Sequence, residues 1–213
     1  MDDKLSFDEN SHRYTLAGKG FGPPLVIPSV SQVISRAGLY GYAKNDKMVG
    51  LMNKGVHLHK VTVLIDEKMV ASTDLDEEDA GYGVSYESFV KDFSFIPEYI
   101  ERRMYHPKFL YAGTPDRIGT IEVTGEISRV LIDIKTGKPH PATNLQLAAY
   151  REMANAWGLI VENYGVPIGG CYALYIQADG DYKFIPMADF YDNWLTFQSA
   201  LRIARWKEKN SIG

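Results

Sequence analysis

The run Val130-Leu131-Ile132-Asp133-Ile134-Lys135 constrains the chain more than any other stretch. It reads as a strand, and successive side chains of a strand point to opposite faces. Ile132 and Ile134 therefore enter the core, while Asp133 and Lys135 share the other side. The preceding segment adds a second acid. Strands over 116–123 and 126–133, joined by a two-residue loop at Thr124-Gly125, place Asp116 opposite Asp133; a longer loop would move the pair by a step. Directly opposed residues have β-carbons about 5 Å apart, and like charges so placed are destabilising unless something neutralises them. A divalent cation does that.

The chain around this pair has 213 residues, 45% hydrophobic and 23% charged, which suits one well-buried core and makes two domains a tight fit. A single cysteine, Cys171, excludes a disulfide framework, a four-cysteine zinc site and a cysteine-ligated iron–sulfur cluster. Its strand-like surroundings suggest a buried, inert thiol. The net charge of −4 argues against non-specific coating of nucleic acid, which needs clustered Lys and Arg, and leaves room for a local basic groove. No apolar run approaches the roughly 20 residues that span a bilayer. The start, Met1-Asp2-Asp3-Lys4, is too acidic and polar for a secretory signal, so a cytoplasmic protein with no membrane partner is expected.

Residues 1–28 read as a hairpin with a turn at Glu9-Asn10-Ser11, then an extended entry segment through Leu25-Val26-Ile27. Ser29 or Ser31 caps a helix carrying Val30, Val33 and Ile34, with Gly38 as its stop. A second helical pattern runs from 47 to 68, its apolar positions including Met48, Leu51, Met52 and Val61. The mixed acidic stretch 66–82, with Asp74-Leu75-Asp76-Glu77-Glu78-Asp79 and ending at Gly81 and Gly83, reads as a solvated loop. A short helix over 86–93, a β-rich block over 95–135, a helix over 143–161, strands over 170–177 and 182–186, and an amphipathic helix over 189–207 follow. In that last helix Trp194, Leu195, Phe197, Leu201 and Ala204 should dock on the sheet. The expected fold is a single α/β domain, 1–213, with a mixed central β-sheet flanked by helices.

Pro115-Asp116 and Asp133-Ile134-Lys135 resemble the signature of the PD-(D/E)XK nuclease superfamily, and three further stretches resemble its RecB-type branch, especially small phage-encoded, lambda-exonuclease-like enzymes. Gly55-Val56-His57-Leu58-His59 looks like that branch's Gly-to-His helix motif. Gln146-Leu147-Ala148-Ala149-Tyr150 looks like its Q-x-x-x-Y motif, and Pro28-Ser29-Val30 resembles the entry segment of the phage members. These stretches span most of residues 25–157, and the last 55 or so residues carry no motif.

The resemblance implies a restriction-endonuclease-like αβββαβ core and a Mg²⁺- or Mn²⁺-dependent deoxyribonuclease, with one or two ions. Such ions generate a nucleophile from water and absorb charge on the phosphate. It implies metal ligation by Asp116, Asp133, the carbonyl of Ile134 and His59, and a catalytic Lys135 that holds the attacking water and stabilises the transition state. Glu101 takes the place of a further catalytic acid on the preceding strand, a ligand to a second metal or to water. Gln146 and Tyr150, at i and i+4 on one helix face, lie near the DNA backbone, with Arg117, Lys138 and Arg151 as phosphate contacts and Lys60 a weaker one. His57 and His59 sit roughly 200° apart around a helix, so only one can face the metal, and the spacing from Gly55 favours His59.

An isolated Asp-x-Lys on a strand is ordinarily a surface ion pair, and the surrounding motifs reverse that reading here. His12, His106 and His140 fall at turns and should face solvent, with His140 near enough to Lys135 to approach a phosphate. Trp157, Trp194 and Trp206 read as core. Arg202, Arg205, Lys207 and Lys209 give the last helix a basic end, read first as charge complementing the helix dipole and second as a DNA-contacting patch. The leading expectation is an exonuclease acting on DNA ends in phage or prophage recombination or replication, in a bacterial host, beside a single-strand annealing or recombination protein. A structure-specific or restriction-type endonuclease shares the same metal core. A catalytically silent DNA-binding adaptor would be expected to have lost one of Asp116, Asp133 and Lys135.

Overall fold

The computed structural model describes residues 5–9, 11–18, 22–40, 46–157 and 167–212. Asn10 of the expected first turn and residues 158–161 of the expected helix end lie outside them, as do the side chains of Met48, Leu51 and Met52. The chain begins with a three-stranded antiparallel sheet, β1 (Leu5–Asp8), β2 (Arg13–Leu16) and β3 (Leu25–Ile27). Helix α1 (Val30–Arg36) starts at Ser29, whose hydroxyl accepts the Gln32 N–H while the Gln32 side chain accepts the Ser29 N–H. This reciprocal pair satisfies two of the donors that every helix start leaves over. Helix α2 (Asp46–Asp66), a 3-10 turn (Ser72–Asp74) and α3 (Glu77–Asp92) lead into the strands.

The strands β4 (Ile96–Ile100), β7 (Arg117–Val123), β8 (Glu126–Lys135), β9 (Gly170–Ile176) and β10 (Tyr182–Pro186) form one mixed sheet in the order β10-β9-β8-β7-β4. The short pair β5 (Met104–Tyr105) and β6 (Ala112–Gly113) stands apart from it. Helix α4 (Ala142–Trp157) makes the crossover that lets β8 and β9 run parallel, and α5 (Phe190–Lys209) closes the chain. The fold is thus a single α/β domain with a five-stranded mixed sheet. Thr124 and Gly125 both have positive φ, 52° and 83°, as the tight two-residue hairpin turn demands. The register runs from Val123 opposite Glu126 to Arg117 opposite Ile132, and one step further along it Asp116 falls opposite Asp133.

Both faces of the sheet are covered. Ile118, Leu131, Cys171, Ala173 and Tyr175 pack under α1, α4 and α5. Ile121, Val130, Ile132, Ile134 and Leu174 pack with Tyr86 and Phe89 of α3. Cys171 is buried, and its burial pushes the thiol pKa up to about 12, so the sulfur stays protonated and inert.

Four expectations need correction. The acidic stretch is not all loop: α3 already starts at Glu77, with Glu77, Glu78 and Asp79 in its first turn, where negative charge opposes the helix dipole favourably. Gly81 and Gly83 are close-approach positions inside that helix. A β-carbon on Gly81 would meet the Ala178 carbonyl oxygen at 1.7 Å, and one on Gly83 the Leu75 side chain at 2.6 Å. Helix α5 packs chiefly on α4 and α1 rather than on the sheet, because α4 already covers much of that face. Leu195 and Trp206 accordingly remain exposed, at 43% and 58%. His106 is buried against the rings of Phe109, Tyr111 and Trp194. Its Nδ1 accepts the N–H groups of Lys108 and Phe109, and burial lowers its pKa to about 4.

Candidate active site

The end of β8, the residue just before β7, helix α2 and helix α4 bring five polar side chains together. Asp133 and Lys135, two apart on β8, project to the side where α4 packs. Lys135 Nζ lies 2.6 Å from Asp133 Oδ2. Gln146, one turn into α4, bridges both: its Nε2 donates to Asp133 Oδ1 at 3.1 Å, and its Oε1 accepts from Lys135 Nζ at 3.3 Å. The same Nε2 lies 3.3 Å from the Tyr150 hydroxyl, a turn further along α4. Asp116 uses both carboxylate oxygens, Oδ2 accepting the Ile134 N–H at 2.6 Å and Oδ1 facing His59 Nδ1 at 3.2 Å.

His59 reaches across from α2 and has an acceptor at each ring nitrogen, since Nε2 lies 2.9 Å from the Ile134 carbonyl. Only the protonated imidazole can donate to both. The Asp116 charge accordingly raises the His59 pKa against the opposing effect of burial. Burial also pushes the Asp116 carboxyl upward, but His59, Lys135 and the Ile134 N–H outweigh it and hold the carboxyl below its ordinary value. Asp133 goes the other way. Burial raises its pKa to about 6, with Lys135 opposing and the Asp116 charge reinforcing the rise. Burial pulls the Lys135 pKa down, yet Asp133 and Asp116 win and keep it charged throughout the physiological range. Tyr150 is held protonated by burial and by the two aspartates.

The remaining sequence candidates are placed elsewhere. His57 is exposed and pairs with Asp79 of α3, so of the two histidines His59 is the one facing Asp116. Arg117 is not a phosphate contact: it follows Asp116 along the strand, hence faces the opposite side, and is 0% exposed. Its guanidinium meets Asp66 of α2. Arg151 lies one residue past Tyr150, about 100° around the helix, and stacks on the Phe190 ring at 4.2 Å, turned toward α5 and away from the aspartates. Glu101 comes close only through its backbone, whose N–H donates to the Asp116 carbonyl at 2.9 Å. Its side chain is exposed, and its left-handed φ of 46° marks the turn out of β4. Lys138 and Lys60 are exposed, and His140 is half-buried with Nδ1 accepting the Ala142 N–H at the start of α4.

Some neighbours escaped sequence reasoning. Tyr14 of the N-terminal sheet reaches Thr114, two residues before Asp116, at 2.6 Å. Tyr40, after α1, contributes to the field on Lys135. Thr62, Asp66 and Tyr86 lie behind Asp116, around Arg117. The signal for Thr62 and Asp66 was their spacing of three and seven from His59, which places all three on one stripe of α2.

Among the described residues no group of three or more His, Cys, Asp and Glu is gathered as a metal site. The carboxylates are instead neutralised one by one, Asp116 by His59 and Asp133 by Lys135. The donor chemistry nonetheless fits a hard divalent cation, with two carboxylates and a backbone carbonyl side by side. Asp133 Oδ2 supports the fit further: it is buried and, beyond its ionic contact with Lys135, accepts no hydrogen bond of ordinary geometry. No protein-family model matches the sequence, and no curated protein matches it. No helix of the described residues is long and apolar enough to cross a membrane.

Proposed function

We propose that the protein is a Mg²⁺- or Mn²⁺-dependent deoxyribonuclease of the PD-(D/E)XK, RecB-type kind, acting as an exonuclease on DNA ends. What carries the reading is the meeting of Asp116, Asp133, Lys135 and Gln146, with His59 beside Asp116. Two carboxylates held together at a buried strand end tend to repel, and an enclosed pair of this kind is a reason to look for chemistry.

Asp116, Asp133 and the Ile134 carbonyl would hold the ion, and His59 could join them only after giving up a proton. A bound divalent cation supplies a hydroxide-like nucleophile at neutral pH and draws charge from the phosphate oxygens. Lys135, kept protonated, donates to the attacking water or to the phosphate oxygen on which charge develops; it is not a general base. Gln146 fixes the Lys135 ammonium relative to Asp133, and Tyr150 holds the far side of Gln146. The preference for ends rests on the Gly55–His59 and Gln146–Tyr150 resemblance.

The test is incubation with end-labelled linear duplex and covalently closed circles in Mg²⁺, Mn²⁺ or chelator. Progressive shortening of linear DNA, intact circles and silence in chelator are expected. Circles cut as fast as linear DNA, with Asp133→Ala inactive, would promote the endonuclease reading, and no cleavage in either metal would leave the silent-adaptor reading.

A further inference from the structure

Arg117 is buried where no substrate reaches, yet its three nitrogens bond the main chain of Asp116 and two side chains of α2. Nη1 donates to the Asp116 carbonyl at 2.7 Å, Nη2 to the Thr62 hydroxyl at 3.0 Å, and Nε to Asp66 at 2.5 Å. The Thr62 hydroxyl, having accepted that bond, donates its own O–H to the His59 carbonyl at 2.8 Å. The guanidinium is therefore tied to the main chain of Asp116 directly and to that of His59 through one hydroxyl. Asp66 anchors it, and the Tyr86 hydroxyl in turn donates to both oxygens of Asp66, at 2.8 and 2.9 Å. His59, Thr62 and Asp66 share one stripe of α2, so all these bonds fix that helix against the start of β7.

From this we infer that Arg117 is a positioning residue: with Thr62 it sets how His59 meets Asp116. A planar guanidinium serves all three directions at once, which a lysine ammonium on a flexible stem does not. The inference deepens the nuclease reading and rests on it only for the kinetic consequences; the placing of the His59 ring is a property of the chain itself.

The experiment compares Thr62→Val, Thr62→Ser and Arg117→Lys in the full-length chain, with ¹⁵N-labelled histidine. Thr62→Val is nearly isosteric and deletes only the relay; Thr62→Ser restores it. Expected in Thr62→Val and Arg117→Lys are displaced His59 ring-nitrogen signals, with those of exposed His12 unmoved, and His59 signals returned toward the wild-type position in Thr62→Ser. In the cleavage assay kcat falls about tenfold or more, as small misplacements of reacting groups do. KM for DNA and its salt dependence stay as in wild type, because Arg117 touches no phosphate. His59 signals unmoved in folded Thr62→Val overturn the inference, whether or not the wild type cuts DNA. A raised KM with a flattened salt dependence in Arg117→Lys also overturns it, in favour of a phosphate contact. Should Arg117→Lys fail to fold, the two Thr62 variants decide alone. A wild-type chain that leaves DNA intact while the His59 signals move as expected sinks the nuclease reading and leaves the positioning role standing.

Discussion

Two charged clusters lie back to back across the start of β7, one behind Asp116 and one in front of it. Behind, Asp66 and Arg117 form a single buried pair in which the carboxylate takes Tyr86 and Arg117 and the guanidinium takes Asp66, Thr62 and the Asp116 carbonyl. In front, Asp116, Asp133, Lys135 and His59 face one another, with Lys135 and His59 partly open to solvent and one buried oxygen of Asp133 held only by the Lys135 ammonium. The rear cluster is closed: one charge meets one charge. The front cluster is open, because two carboxylates must share a space that Lys135 and a proton on His59 only just neutralise. Burial raises the pKa of both Asp66 and Asp133, a cation opposes it in each, and a second acid adds to it; for Asp66 that acid is the exposed Glu67, whereas for Asp133 it is the buried Asp116 of the same cluster. Closed pairs hold structure in place, whereas an open pair keeps free energy that a ligand can release.

The sharpest break of this contrast is in turnover. Asp133→Ala and Lys135→Ala should each lower DNA cleavage by about a thousandfold or more, as loss of a metal ligand or of the group stabilising developing charge does. Circular dichroism should show the fold retained in both. Full activity in Asp133→Ala would remove the front cluster from the chemistry. Next in size is a stability effect behind β7. Asp66→Asn strands the Arg117 charge in the interior and should lower unfolding free energy by about 3 kcal/mol, at the low end of what breaking a buried pair costs. Urea melts of the variant measure it, and a loss well under 1 kcal/mol would mean the rear cluster is not closed.

A smaller effect of opposite sign is expected in front. Asp133 has a folded pKa of about 6 against an ordinary 3.8. An acid with a raised folded pKa keeps its proton in the folded state while the unfolded chain releases it, so its contribution is most favourable below about pH 4 and is lost as pH climbs through 6. Asp133→Asn removes that loss. In chelator at pH 7 or above it should be more stable than wild type by on the order of 1–2 kcal/mol, after allowing for the weakened contact with Lys135. Below pH 4 the two should converge. Mn²⁺ at a hundredfold excess over its dissociation constant should stabilise wild type by about 2.7 kcal/mol and the variant far less. A variant less stable than wild type at pH 7 in chelator would show that the front cluster is as closed as the rear one.

The front cluster was largely legible in the sequence and the rear one was not, for physical reasons that differ. Strand alternation and a two-residue turn are local rules, and Thr124-Gly125 has the residues that such a turn requires; together they placed Asp116, Asp133 and Lys135. The same alternation should have turned Arg117 away from Asp116, but an arginine beside an acid in a presumed nuclease invited a phosphate. Its true partner, Asp66, is 51 residues away, and no local pattern links them. Gly81 and Gly83 look like loop signals because glycine serves turns and close contacts alike; only the approach of Ala178 and Leu75 tells them apart. His106 sits at a turn, as read, and is buried because α5 lays Trp194 over it. The docking of α5 on helices depended on α4 occupying the sheet first, which is a tertiary fact.

The smallest effect tests the neutral arm of the open cluster. Tyr150 touches neither carboxylate through its hydroxyl; it meets Gln146, which in turn bridges Asp133 and Lys135. Tyr150→Phe keeps the buried ring and deletes one long hydrogen bond, so its effect on stability should be about 1 kcal/mol or less. Gln146 then has one fewer restraint while still holding Asp133 and Lys135, and DNA turnover should fall by a few fold, roughly what a loosened orienting group costs and far below the loss of a ligand. The stabilisation given by Mn²⁺ should be unchanged, because no donor to the ion has been touched. Thermal melts with and without Mn²⁺, run beside cleavage assays on the same preparation, separate these two outcomes. Equal loss of turnover and of metal stabilisation would place Tyr150 among the groups that hold the ion, and the open cluster would then extend from β8 onto α4.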